Sequence, residues 1–387
     1  MKVLYILSST ATQGGSTKAF LSMMTGLKER GVEATVVCPD NGPATVKLKA
    51  MGIRVHVTSY RTHIYPQCRT PKDFVTFFPK LAYHHWLNKR AEKQLLSVLQ
   101  KENFDLVHTN VSVIDIGYRL AKRLNIPHIY HIREYQDLDF DMKIIPNKKR
   151  FIKNLYTGHA ICITRNIQKH FELDDTHSKV IYDGVKPANA VRYCKDKGNY
   201  FLFVGRLQPT KGIEEVLHAY AAYHARSSRP MQLFIAGMPL TEEYRRKLTK
   251  IVSATELTED VCFLGVRNDV DDLMLHANAV IMASRSEGFG LVTVEAMYNG
   301  AAVLARDCAG THEQIINGLK ASGGGKIALP WNTTEELTDL MAETEKNGET
   351  DVFYGMVERS QYVVSGLYSI EKNVDEVYKY YQYILES

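Results

Sequence analysis

No stretch of this 387-residue chain is apolar over a length that would cross a bilayer. The opening Met1-Lys-Val-Leu-Tyr-Ile-Leu-Ser-Ser9 is basic and then apolar, but the run is too short for a signal peptide and reads as a first buried strand. Six cysteines (Cys38, Cys68, Cys162, Cys194, Cys262 and Cys308) are scattered without a C-x-x-C pair. That argues against a disulfide framework or cysteine-bound zinc and fits a reducing cytosol. The glycine-bearing stretch Ser8–Thr17 contains neither G-x-G-x-x-G nor the G-K-[ST] of a P-loop. No RNP, KH or helix-turn-helix signature occurs, so nucleic acid is not an expected partner. Internal repeats and low-complexity segments are absent as well.

The length suits two domains rather than one core. Apolar residues make up 45% of the chain and charged residues 24%, as in ordinary globular proteins. Charge is unevenly placed: residues 1–190 carry a formal +12 and residues 191–387 a formal −7. A basic half points to an anionic partner such as a membrane surface or a lipid-linked diphosphate, with a merely soluble basic face as the alternative.

Short apolar runs separated by helix-favouring segments predict a βαβ half. Lys2–Leu7 leads through Gly14-Gly15 into the amphipathic run Lys18–Arg30, a strand, glycine loop and helix. Glu33–Cys38, Ile53–Thr58, Leu106–Thr109, His128–His131 and Ala160–Thr164 read as further strands. His131 closes one of them at the end where ligands gather in open α/β sheets, with a structural histidine as the alternative. Arg61–Lys101 interleaves basic residues with Phe74, Phe77, Phe78, Tyr83 and Trp86, and Lys143–Lys153 adds a second basic run. Both suit a membrane interface, or amphipathic helices packed on the domain. Pro187–Gly198 is polar and irregular, as a linker would be.

The second half opens on a strand running into Gly205, followed by Arg206 and Lys211 five residues apart near a helix start. Fixed cations beside helix amides are what a departing diphosphate needs as charge grows on it. Further strands are expected at Met231–Gly237, Val261–Gly265 and Ala279–Ala283. After the last comes Ser284-Arg-Ser-Glu-Gly-Phe-Gly-Leu-Val-Thr-Val-Glu-Ala-Met-Tyr-Asn-Gly300. Gly288 and Gly290 mark a strand-to-helix turn whose amides form an anion site. Glu287 and Glu295 frame it, about 12 Å apart if helical rise applies throughout. An ordinary βα turn with two solvated glutamates is the alternative.

These segments resemble the retaining GT-B glycosyltransferases called family 4. The resemblance rests on Glu287-Gly-Phe-Gly with Glu295-Ala-Met as an E-x7-E region, Gly300-Ala-Ala-Val-Leu-Ala with Glu313 downstream, and Gly205-Arg206 to Lys211-Gly212 as G-R-x4-K-G. It is strong from Phe201 to Glu313 and looser before, where Val180–Val185 resembles the strand that ends the family's first domain. It implies an α/β architecture of two facing Rossmann-like domains with a cleft between them. The first domain would occupy 1–186, with a C-terminal helix at 369–387 packing back on it, and the nucleotide-sugar domain 187–368. The implied activity is transfer of a sugar from a nucleotide diphosphate donor, a UDP-sugar being favoured, to a hydroxyl of a glycan or polyprenyl-linked acceptor.

By the same resemblance Arg206 and Lys211 stabilise the leaving diphosphate, Glu287 holds sugar hydroxyls, Glu295 the ribose, and His131 meets the sugar on the acceptor side. Gly14, Gly15, Gly205, Gly265, Gly288, Phe289, Gly290 and Leu291 line the donor, and loops after Gly237 and Gly265 approach its base. No Asp-x-Asp follows a strand except Asp137-Leu-Asp139, placed in a loop, so neither a metal nor another cofactor is required. The expected setting is cytoplasmic, with peripheral contact on the inner face of the membrane through the basic half. An epimerase of the same fold and a non-catalytic sugar-nucleotide binding protein are the alternatives, together with a pyridoxal-phosphate phosphorylase.

Overall fold

Apolar runs of four to six residues form parallel strands here because both faces of each sheet are covered by helices. The computed structural model describes the chain except Gln13, Asp141, Pro146 and Glu349, and omits the side chains of Asp139 and Phe140. Gln13 of the glycine loop, Pro146 of the second basic run and the Asp139 carboxylate therefore lie outside the described residues. The chain divides into two units, Met1–Gly184 with Ile370–Ser387, and Val185–Ser369. Both are Rossmann-like.

The first unit begins β1 (Lys2–Ile6), α1 (Gly15–Glu29), β2 (Glu33–Cys38), α2 (Pro43–Ala50), β3 (Arg54–Val57), β4 (Ile64–Pro66) and α3 (Pro71–Leu99). It continues β5 (Leu106–Thr109), α4 (Ile116–Leu124), β6 (His128–Ile132), α5 (Asp137–Phe140) and β7 (Met142–Ile144). The last elements before the crossover are α6 (Lys148–Leu155), β8 (His159–Cys162), α7 (Arg165–His170) and β9 (Ser178–Val180). Seven strands form a parallel sheet in the order β3-β2-β1-β5-β6-β8-β9, and β4 pairs antiparallel with β7 beside it.

In the second unit β10 (Tyr200–Val204), α8 (Ile213–His224), β11 (Gln232–Ala236), α9 (Glu242–Ala254), β12 (Val261–Gly265) and α10 (Val270–His276) come first. β13 (Ala279–Met282), α11 (Leu291–Tyr298), β14 (Ala302–Arg306), α12 (Ala309–Ala321), β15 (Leu329–Trp331), α13 (Thr334–Asn347) and α14 (Asp351–Leu367) complete it. Its parallel sheet runs β12-β11-β10-β13-β14-β15. Phe201, Phe203, Leu233, Ile235 and Ile281 from the strands meet Val216, Tyr220 and Leu337 from the helices in one core.

The last helix, α15 (Ile370–Glu386), belongs to the first unit. Val374, Val377, Tyr381 and Ile384 recur at helical spacing and pack with Phe20, Met23, Met24 and Leu27 of α1.

Two local expectations fail. Val180–Val185 is strand only at Val180, the last residue of β9: the Ile181 amide still donates to the Cys162 carbonyl as the sheet ends, and Asp183 is drawn away to Arg133. Asp137–Asp139 lies in the short helix α5 rather than in a loop.

Candidate functional site

Three loops meet at the ends of β10, β13 and β14. The chain leaving β10 passes Arg206 and makes a single 3-10 turn, Pro209–Lys211. Gly212 then starts α8 with φ 69°, a left-handed conformation that glycine adopts without penalty. A β-carbon on Gly212 would lie 2.1 Å from the Ala283 carbonyl oxygen, so only glycine lets this loop lie against the end of β13. The Arg285 amide donates to the Thr210 carbonyl at 2.9 Å and joins the two loops side by side.

That juxtaposition brings Lys211 Nζ to 2.6 Å from Glu287 Oε2. Both side chains stay about one fifth exposed, so the pair faces solvent on one side. Arg206 is exposed, and among the described residues nothing pairs with its guanidinium. Behind them Glu215 takes Arg306 at 2.5 Å and Arg285 at 3.3 Å, and Arg306 lies over the Trp331 ring at 5.3 Å.

The turn carrying Gly288, Phe289 and Gly290 is held from below by α12. The Gly310 amide donates to the Glu287 carbonyl at 2.9 Å. A β-carbon on Gly310 would sit 2.7–2.8 Å from the carbonyl oxygens of Glu287, Gly288 and Phe289, so the turn rests directly on backbone. Gln314 Nε2 donates to the Phe289 carbonyl at 2.7 Å and to that of Gly290 at 3.2 Å. The Phe289 ring is buried against Tyr368, centroids 5.2 Å apart, which leaves its backbone as the part able to meet a ligand.

Gly290 is the N-cap of α11, with no side chain capping the helix and no acidic residue in its first turn. The open amides therefore keep their attraction for an anion. Glu295 is half-buried in the second turn. Because the helix begins only at Leu291, helical rise applies to only half of the Glu287–Glu295 interval.

A strand-end glycine loop, two cations and two carboxylates set around an uncapped helix fit a nucleotide-sugar site. The chain matches a family model described as glycosyl transferases group 1 over residues 189–353 and a glycosyl transferase 4-like domain over 14–161. The chain belongs to the group 1 (family 4) glycosyltransferases. An uncharacterised glycosyltransferase of Methanocaldococcus jannaschii is 26% identical, the match covering 65% of this chain and 69% of that one. The lipopolysaccharide 1,2-N-acetylglucosaminetransferase of Salmonella typhimurium is 24% identical over 64% of this chain and 66% of its own. Among solved structures, HepE of Anabaena in complex with UDP superimposes with a TM-score of 0.79 at 18% identity, covering 99% of this chain and 100% of that one. That likeness establishes the GT-B fold.

In the first unit of this glycosyltransferase, Gly14 is the extended N-cap of α1 and Gly15 its first helical residue, again without a capping side chain or an acidic first turn. His131 lies on β6 with no exposure. Its Nδ1 is 3.1 Å from His108 Nε2 and 3.3 Å from an Arg133 nitrogen. His108 in turn meets the Tyr381 hydroxyl of α15, and Arg133 pairs with Asp183. Burial first, then the Arg133 charge, holds both imidazoles well below their usual range. Burial pushes Asp183 up against the opposing pull of Arg133. His131 is thus one link of a buried hydrogen-bonded chain whose two imidazoles are neutral.

Gly205 (φ 156°) follows β10 and Gly265 (φ 67°) ends β12, on either side of β11 in the second sheet, and the Gly237 amide just after β11 donates to the Gly265 carbonyl at 2.8 Å. Sequence reasoning missed Gly310 and Gln314, because a glycine and an amide two turns along a helix carry no motif of their own. Burial pushes the Cys308 thiol up to about 11, and the thiol donates to the Ser284 carbonyl at 3.0 Å; it supports the loop and is not poised to attack. Among the described residues, no group of three or more His, Cys, Asp or Glu is placed to hold a metal ion.

Proposed function

We propose that this glycosyltransferase moves a sugar from a UDP-sugar to a hydroxyl of a glycan or lipid-linked acceptor, with retention at the anomeric carbon, in the synthesis of a surface polysaccharide. One observation carries the reading: Glu287, ion-paired to Lys211, stands at the mouth of an uncapped, acid-free helix start whose second turn bears Glu295. In this reading the α11 amides and Arg206 take the diphosphate. Lys211, kept close by Glu287, shifts toward the β-phosphate as its charge develops, where a preorganised cation is most effective. Glu287 holds sugar hydroxyls, Glu295 the ribose, and no side chain acts as nucleophile. The cations and amides take the electrostatic part that a metal plays in other transferases. Supporting the donor are HepE structures with UDP and with UDP-glucose, and supporting the acceptor class is the lipopolysaccharide relative.

The reading includes reversible contact with an anionic membrane. Among the described residues, no helix is long and apolar enough to cross one. The first half of α3, however, leaves Phe74, Phe78, Tyr83 and Trp86 each more than half exposed among lysines, while buried positions of α3 begin at Asn88. The deciding experiment is a thermal-shift and turnover screen over UDP, GDP, ADP, CMP and dTDP sugars, with the product's anomeric configuration read by NMR. A UDP-sugar at 100 times its dissociation constant adds about 2.7 kcal/mol of stability. Selective stabilisation by another base, or donor isomerisation without an acceptor, overturns the assignment.

A further inference from the structure

The donor turn is held in shape by a side chain that never reaches the surface. Gln314 stands one helical turn beyond Gly310 on the same face of α12 and is 1% exposed. Its Nε2 carries two hydrogens and meets two carbonyl oxygens, that of Phe289 at 2.7 Å and that of Gly290 at 3.2 Å. The approach is close, since a β-carbon on Gly290 would lie 3.4 Å from that same nitrogen.

Peptide geometry carries this anchorage to the opposite side of the turn. A peptide unit is planar and trans, so its N–H points away from its C=O. Tying down the Phe289 carbonyl therefore aims the Gly290 amide away from Gln314, and tying down the Gly290 carbonyl does the same for the Leu291 amide. Neither amide has a partner among the described residues. Gly290 is left-handed (φ 94°, ψ 56°) and Leu291 begins a helix. A step of that kind turns successive N–H groups into a concavity that binds anions. Gln314 thus fixes two amides of the concavity while lying out of reach of anything they hold.

The other end of the side chain points to the same task. Oε1 is buried with no partner, and an unpaired buried acceptor costs stability. Only the donating end is used, so the residue serves the two peptide planes rather than the core around it.

We propose that Gln314 is a positioning residue of the transferase, setting the grip on the donor's diphosphate and leaving the nucleoside to other contacts. The proposal rests on the reading above that the start of α11 takes the diphosphate. Dipoles stabilise developing charge best when they need not turn to meet it, and the β-phosphate gains charge as the glycosidic bond breaks. With the clamp removed the two planes are held less firmly, and diphosphate affinity and turnover fall together.

The test is calorimetry with UDP and saturation-transfer NMR with uridine on the full chain, wild type and variant, with donor turnover measured on the same preparations. Gln314→Met keeps the length of the side chain and removes both donors. It lowers UDP affinity and turnover at least tenfold and leaves uridine affinity within twofold of wild type. Gln314→Glu keeps the shape but offers at most one hydrogen where the amide offers two, and it repeats the selective loss. A role in packing alone weakens uridine and UDP alike or changes neither, and either result overturns the proposal. In the wild type, UDP shifts the Gly290 and Leu291 amide protons and uridine does not; amides indifferent to UDP overturn it as well. If the wild type binds UDP no more tightly than uridine, the diphosphate reading of α11 itself falls. If it favours UDP and both variants favour UDP equally, only the role of Gln314 falls.

Discussion

Replacing Arg206 by alanine separates catalysis from folding more cleanly than any other change at the site. The guanidinium is exposed and pairs with nothing among the described residues, so the structural cost should stay within about 0.5 kcal/mol, the range of neutral surface substitutions. If it meets the diphosphate as the glycosidic bond breaks, its loss should cost about 2.7–4 kcal/mol of transition-state stabilisation, a hundred- to thousand-fold in turnover. Lys211→Ala is the informative companion. Its 2.6 Å pair with Glu287 is partly solvated, and such pairs contribute about 1 kcal/mol or less, equivalent to about 2–4 °C in Tm for a unit of this size. Its turnover should nevertheless fall as far as that of the Arg206 variant. Melting temperature and donor turnover, measured on the same preparations, decide the matter. Folded variants with unchanged Tm and turnover within threefold of wild type would remove both cations from the mechanism.

Glu295→Gln is expected to weaken intact donor and free nucleoside diphosphate alike, and Glu287→Gln chiefly the intact donor; equal losses in calorimetry would refute the ribose and sugar assignments. Gly310→Ala pushes a methyl group against three carbonyl oxygens at 2.7–2.8 Å. It should cost about 1–3 kcal/mol and displace Glu287, lowering both Tm and donor affinity; unchanged values would show that the turn does not rest on α12 as argued. His128 is buried with its pKa lowered to about 3, so the unfolded chain takes up a proton below about pH 6.5 that the folded chain refuses. Stability is therefore complete above that pH and declines toward pH 3, by about 2 kcal/mol for this group at pH 5. His128→Gln, whose amide reaches the Nε2 position and so keeps the contact with Thr109, should flatten that part of the pH–stability curve, and an unchanged slope would assign the loss elsewhere. Co-sedimentation should show binding to anionic vesicles that salt reverses. Equal recovery on neutral vesicles would contradict an electrostatic contact.

What the sequence determined by itself was local and periodic. Apolar runs such as Glu33–Cys38 and Ala279–Met282 become strands where they stand because their length and β-branched content leave few other ways to bury them. Spacing likewise put Val374, Val377 and Tyr381 on one face of a helix, and residue order alone made the E-x7-E and G-R-x4-K-G segments recognisable as those of a family. Tertiary structure decided whatever depends on residues distant in the chain. Lys211 and Glu287 are 76 positions apart and meet only because β10 and β13 are neighbours and Gly212 lets their loops touch. Gly310 and Gln314 became supports of the donor turn through packing that no spacing encodes. Alternation along β6 predicts that Tyr130 and His131 part company, but not that His131 enters a buried chain ending at Asp183 while Tyr130 packs its ring against Tyr118 and Phe151. That division follows from which helices cover each side of the sheet, and so from contacts formed only when the whole unit is folded.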